Sequence, residues 1–179
     1  MHWSGGSAAD REWSGEPGLG WRDPGSVRKV ESTDEIRNLL ATYCERIDRG
    51  DFAGVGQLFS RGGLADQQGN AFATGAEAVA DVFRNQVIVY DDGTPSTKHL
   101  VVNTVFESMV HDEAVARSSY VVFQAAGDVP LRPIITGRYR DTFRRDGDHG
   151  WCFSERRFFV DLAGDLSLHL KPAVVPTPP

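Results

Sequence analysis

Pro95-Ser96-Thr97-Lys98-His99-Leu100-Val101-Val102-Asn103-Thr104-Val105 is where the hydrophobic period of the chain changes from about 3.6 residues to about 2. Downstream, four alternating runs at about Thr97–Ser108, Glu113–Ala125, Leu131–Arg145 and Gly150–Leu162 read as strands. The pieces between them, Val110-His111-Asp112, Gly127-Asp128-Val129-Pro130 and Asp146-Gly147-Asp148-His149, are of hairpin length, which predicts an antiparallel meander.

Upstream the spacing is helical. Ser32-Thr33-Asp34-Glu35 has the form of a capping box, with Val30 and Ile36 placed as a hydrophobic staple. Ile36, Leu39, Leu40, Tyr43, Cys44 and Ile47 then make one apolar stripe, which Arg49-Gly50-Asp51 interrupts. Phe52, Val55, Leu58 and Phe59 predict a second, short helix ended by Arg61-Gly62-Gly63. A short extended piece is expected between Leu64 and Thr74, and Gly75 introduces a third helix expected to end near Tyr90-Asp91-Asp92-Gly93. Helices first and long antiparallel strands second is the order of an α+β fold: N-terminal helices packed on a curved antiparallel sheet, forming a cone-shaped α+β barrel with an apolar pocket.

That domain is expected over residues 31–170 of the 179. Residues 1–30 hold six of the 19 glycines and no sustained period, so they predict an irregular arm, although Trp3, Trp13 and Trp21 offer apolar anchors unusual in a solvated leader. Residues 171–179 carry four of the nine prolines and predict an extended tail. With 19 Lys and Arg against 25 Asp and Glu, the net charge of −6 argues against nucleic acid or an anionic membrane surface as partner. The start MHWSGGSAADREWSGE has no basic and apolar signal pattern, so a cytoplasmic protein is expected. Cys44 and Cys152 form no CxxC pair and read as buried free thiols.

Tyr43-Cys44-Glu45-Arg46-Ile47-Asp48-Arg49-Gly50-Asp51-Phe52, the Leu58-Phe59 pair, Gly75 opening a helix, Lys98-His99-Leu100-Val101-Val102-Asn103 opening a strand, Gly137-Arg138-Tyr139 and Trp151-Cys152-Phe153 follow in one order. Together they resemble the SnoaL-like branch of the nuclear transport factor 2-like superfamily. The resemblance implies an α+β cone, assembled as a homodimer or homotrimer. It also implies a pocket used by polyketide cyclases, scytalone dehydratase, a dehydrochlorinase and a steroid isomerase, and by non-catalytic binders. Fold alone does not choose among these.

In scytalone dehydratase and the dehydrochlorinase the resemblance implies an Asp near the end of the first helix and a His on the first long strand as the catalytic pair. The matching residues here are Asp48 and His99. Imidazole is the side chain suited to proton transfer near neutral pH, and a carboxylate beside it fixes its tautomer and stabilises the imidazolium that forms. Where scytalone dehydratase has a Tyr directly before the Asp, this chain has Ile47; Tyr43, one turn earlier, is either a core aromatic or a substitute hydroxyl. Alternation puts Val101, Asn103 and Val105 on the face of His99, and Phe59 and Val101 are expected in the pocket wall. Asn103 and Tyr120 are candidate donors to a substrate carbonyl, and Arg138 a candidate carboxylate binder on a strand otherwise read as solvated or subunit-facing. On the last strand Trp151, Phe153, Glu155, Arg157 and Phe159 would share one face and Cys152, Ser154, Arg156, Phe158 and Val160 the other. His169 follows that strand and is placed to fold over the pocket mouth, its role open.

No HExxH, nucleophile elbow, P-loop or dinucleotide fingerprint occurs, so neither metal nor organic cofactor is expected. Two function classes remain. One is a cofactor-independent lyase or isomerase of dehydratase or cyclase type, acting on a hydrophobic oxygenated small molecule. The other is a non-catalytic small-molecule-binding or oligomerisation module that supports a partner enzyme.

Overall fold

Acidic Asp34 and Glu35 in the first turn and Arg46 in the last complement the dipole of α1 (Ser32–Asp48), and its apolar stripe buries Ile36, Leu40, Tyr43, Cys44 and Ile47. The structure, a computed structural model, describes residues 32–147 and 150–172. The expected arm with its three tryptophans, Val30 of the staple, His149 and the proline-rich residues 173–179 lie outside the described residues. At the start of α1 the Ser32 hydroxyl accepts a hydrogen bond from Arg145 at 2.8 Å, tying the helix to the far end of the sheet. Asp51 caps α2 (Phe52–Leu58) by accepting from the Gly54 amide at 2.8 Å. The extended piece is a hairpin of two short strands, β1 (Gly63–Ala65) and β2 (Ala71–Thr74), and Gly75 leads into α3 (Ala76–Gln86). Contrary to the expected end near Tyr90, α3 stops at Gln86: Val87 turns extended and bridges to Leu170, and Tyr90 to Thr94 form a separate turn. No described helix is long and apolar enough to cross a membrane.

Four long strands follow: β3 (Thr97–Val110), β4 (Glu113–Ala126), β5 (Val129–Arg145) and β6 (Trp151–Ala163). They pair as an antiparallel meander, and β1 adds to β6 in parallel, so the order is β2-β1-β6-β5-β4-β3. The architecture is α+β, with helices packed on one face of a curved, mixed and unclosed sheet. Bulges account for its curvature. Asn103, at φ 54°, is the centre of one: Val102 pairs with Ser119 but Val105 already with Arg117. Ser154 is the extra residue of another, since Thr142 pairs with Glu155 and Phe143 with Phe153.

Each bulge reverses which side chains face inward. On β3, His99 and Val101 point to the helices, and beyond the bulge Thr104 and Phe106 take that side. Leu100, Val102 and Val105 are left exposed on the outer face. On β6 the inward set is Trp151 and Phe153, then Arg156 and Phe158, so the two uniform faces expected for this strand are not formed. The main core lies between the helices and the sheet, around Ile36, Tyr43, Phe59, Phe143 and Phe153. A second, smaller cluster of Tyr120, Val122, Ile134, Tyr139 and Leu166 lies on the same inner face of the sheet.

Candidate active site

Asp48 ends α1 and His99 lies near the start of β3, and the packing of this helix on this strand brings the two side chains together. Nδ1 of His99 lies 2.6 Å from Oδ1 of Asp48, both side chains being less than a tenth exposed. Two further donors hold the carboxylate. Thr97 Oγ1 donates to it at 2.9 Å, and the His99 amide is shared between its oxygens at 3.1 and 3.0 Å. A negative charge at a helix C-terminus is unfavourable by about 0.3–1 kcal/mol. Hydrogen bonds to a charged group contribute about 1.5–3 kcal/mol each, so the clamp outweighs the dipole. Burial pushes the Asp48 carboxyl up, but bonding and charge from His99, its amide and Thr97 prevail and hold it below its ordinary range. Lys98 is only 3.9 Å away but two-thirds exposed, and adds little.

With Nδ1 committed to Asp48, Nε2 is the ring nitrogen left for a ligand. His99 lines a cavity of about 200 Å³, together with Tyr43, Phe83, Tyr120, Tyr139, Phe158 and His169 among others. A cavity of about 150 Å³ holds benzene; the space here suits one ring or a small bicyclic system. Tyr120 stacks on Tyr139 with ring centroids 4.3 Å apart, above its strand partner Gly137. A Cβ at Gly137 would lie 2.7 Å from the Tyr120 hydroxyl and 2.0 Å from the Phe159 carbonyl oxygen, so only glycine leaves room for this ring. Burial pushes the Tyr120 phenol up to about 12, which keeps it a donor at every working pH. A wider groove of about 450 Å³ between α1 and β3 reaches the other side of His99; Arg37, Glu45, Lys98 and Asn103 give it a charged, solvated lining.

Behind the cavity wall stands a fully buried ion pair. Arg156 donates through Nε and Nη2 to the two oxygens of Asp141, each at 2.8 Å. Its carbon Cζ lies 4.2 Å from the ring centre of Tyr43, 4.0 Å from that of Tyr139 and 4.7 Å from that of Phe153. Nη1 has no hydrogen-bond partner among the described residues, and these aromatic faces are what stabilise that edge of the cation. Burial works against the guanidinium charge, but Asp141 holds its pKa above the ordinary range. The pair thereby fixes the two tyrosines of the wall.

The model of the SnoaL-like domain matches residues 28–157. The chain belongs to the SnoaL-like domain family. No curated protein sequence matches it significantly. Among solved structures it is similar to a nuclear transport factor 2-like protein with a cystatin-like fold from Novosphingobium aromaticivorans. The two are 25% identical over 72% of this chain and 81% of the other, with a TM-score of 0.59. It is also similar to Rv3472, a Mycobacterium tuberculosis protein of unknown function solved as a single-residue variant: 26% identity, 72% and 76% coverage, TM-score 0.57. A third, named as a candidate scytalone dehydratase from N. aromaticivorans, is 20% identical over 74% of this chain and 86% of its own, with a TM-score of 0.59. At that identity the likeness is one of fold.

Within this SnoaL-like domain Asp48, His99, Tyr43 and Tyr120 converge on or beside one cavity. Four other sequence candidates stand elsewhere. Phe59 is fully buried in the main core, stacked on Phe153 at 4.5 Å. Val101 packs between the two clusters and lines the outer groove. Asn103 is exposed at the bulge, which turns it off the face of His99. Arg138 is on the outer surface, bonded to Asp161 at 2.8 and 3.0 Å. The Asp141–Arg156 pair has no signal in the sequence, because strict alternation along β6 puts Arg156 on the face opposite Phe153 and the Ser154 bulge reverses this. His111 lies exposed in its turn. Among the described residues, no three His, Cys, Asp or Glu side chains are grouped to hold a metal.

Proposed function

We propose that the chain is a cofactor-independent lyase or isomerase of dehydratase or cyclase type, acting on a small oxygenated ring compound. The observation that carries this reading is the 2.6 Å contact of His99 with a clamped Asp48 on the wall of an apolar cavity. His99 Nε2 takes a proton from the carbon next to a substrate carbonyl, and Asp48 stabilises the imidazolium that results. The Tyr120 hydroxyl donates to the enolate oxygen. The imidazolium then returns its proton to a departing β-hydroxyl, releasing water, or to another carbon, giving an isomer. Such general acid–base transfer contributes about 10²–10⁴-fold in rate.

Exchange of the α-protons of 1-tetralone for deuterium, followed by proton NMR, tests the reading without a known substrate. The wild-type chain should accelerate exchange, and His99→Ala should reduce that acceleration by about a hundredfold or more. A folded His99→Ala protein that exchanges as fast as the wild type would sink the mechanism.

A further inference from the structure

The segment after β6 is fastened over the end of α3 by bonds from several elements. Ile88 donates its amide to the His169 carbonyl at 2.9 Å, Lys171 to that of Gln86 at 2.8 Å, and Val87 bridges to Leu170. The Leu168 carbonyl accepts from the Tyr90 hydroxyl at 2.6 Å and from Nε2 of Gln124 at 2.9 Å. Gln124 is itself buried and also donates to the Pro95 carbonyl at 3.1 Å. Within the segment, the His169 and Leu170 amides both donate to the Leu166 carbonyl. His169 is therefore set in place by its neighbours on both sides.

Its imidazole is nine-tenths buried and lines the same cavity as His99, yet Nδ1 has no hydrogen-bond partner among the described residues. Buried polar atoms are nearly always partnered, so an imidazole that lines a cavity with an unpartnered nitrogen points to a ligand. Burial, aided by the charge that His99 carries when protonated and opposed by Asp48, pushes its pKa down to about 4. A neutral imidazole offers one donor and one acceptor, the pair that a hydroxyl or carbonyl oxygen can use.

We propose that His169 is a second substrate-contacting residue, which hydrogen-bonds an oxygen of the same ring compound on which His99 acts. The assignment rests on the proposed function for the identity of that compound. It requires a substrate with two oxygen functions: one at His99 and Tyr120, where protons move, and one held by His169. Holding the second oxygen fixes the ring against rotation in an otherwise apolar space.

The test is a binding experiment on the full chain with 2,7-dihydroxynaphthalene, and with 2,7-dimethylnaphthalene as a control of the same shape without hydrogen bonds. Fluorescence titration should show the diol binding more tightly to the wild type. His169→Phe, which retains an aromatic ring, should weaken the diol about tenfold and leave the hydrocarbon within about twofold. His169→Asn, able to present a donor and an acceptor, should recover most of the loss. Equal weakening of both compounds, no weakening of either, or no wild-type preference for the diol would overturn the proposal. Proton exchange into 1-tetralone by the same variants separates this outcome from the fate of the acid–base reading. Loss of diol affinity alone speaks to His169, whereas exchange that survives His99→Ala speaks against the mechanism.

Discussion

Acidifying the protein from pH 7 to pH 5 should destabilise it through His169, by an amount that follows from where the ring sits. Its folded-state pKa is about 4 against 6.5 for an ordinary histidine, with burial as the main cause. Between those values the unfolded chain binds a proton that the native chain refuses, so stability falls as pH drops through the window. The full gap corresponds to about 3 kcal/mol, of which about 2 kcal/mol is expressed on going from pH 7 to pH 5. Asp48 does not contribute there, because its carboxyl is held below 3.8 and is ionised in both states at pH 5; its stabilisation is lost only in stronger acid. Urea unfolding followed by circular dichroism, at both pH values, on the wild type and on His169→Gln provides the measurement. Contributions common to both proteins cancel, so the difference between them reports residue 169. The wild type should lose about 2 kcal/mol more than the variant, with unchanged m values. Parallel losses would mean that the native state accepts a proton at His169 readily, and the desolvated placement would be wrong.

Two further outcomes follow from other parts of the structure. Asp141→Asn should cost about 3–5 kcal/mol in chemical denaturation, because it leaves the Arg156 cation buried without its counter-charge; replacing both residues by apolar ones of similar volume should cost far less, and a loss under about 1 kcal/mol for the single variant would refute the pairing. The exposed row of Leu100, Val102 and Val105 on β3 is the apolar surface expected of a subunit contact, so light scattering should give a dimer or trimer for the wild type and a monomer for Val102→Lys/Val105→Lys. An unchanged mass would remove this face from the interface.

The element order was legible because each helix and strand carries its own period. The stripe from Ile36 to Ile47 and the Gly75 start of α3 need only local information, and the four strands match their observed spans within about two residues, the usual spread of such boundaries. The end of α3 was not legible, since Val87, Ile88 and Tyr90 extend its apolar pattern while the Val87 bridge, the Ile88 amide and the Tyr90 hydroxyl go to residues some eighty positions later. The parallel pairing of β1 with β6 was equally hidden, for a three-residue strand holds no trace of its partner.

The site shows the same division more sharply, and bulges are its cause. Asp48, His99 and Tyr120 lie where helical phase or strand alternation puts them, and all three meet at the pair or the cavity. Asn103 lies at one bulge and Arg156 just beyond another, and each stands on the face opposite to the one alternation assigns. A period-two reading carries no information past an unpaired residue, because one insertion reverses every later side chain. Asn103 does hold a local clue, since Asn tolerates the left-handed backbone better than the valines around it. Ser154 holds none, yet its bulge lets Phe153 and Arg156 both point inward, and so places the buried cation against the rings of Tyr43 and Tyr139. The Asp48–His99 pair thus depends on regular structure, while the aromatic wall of the cavity depends on an irregularity. Substitutions that shift the Ser154 register should therefore alter what the cavity binds before they disturb the contact between Asp48 and His99.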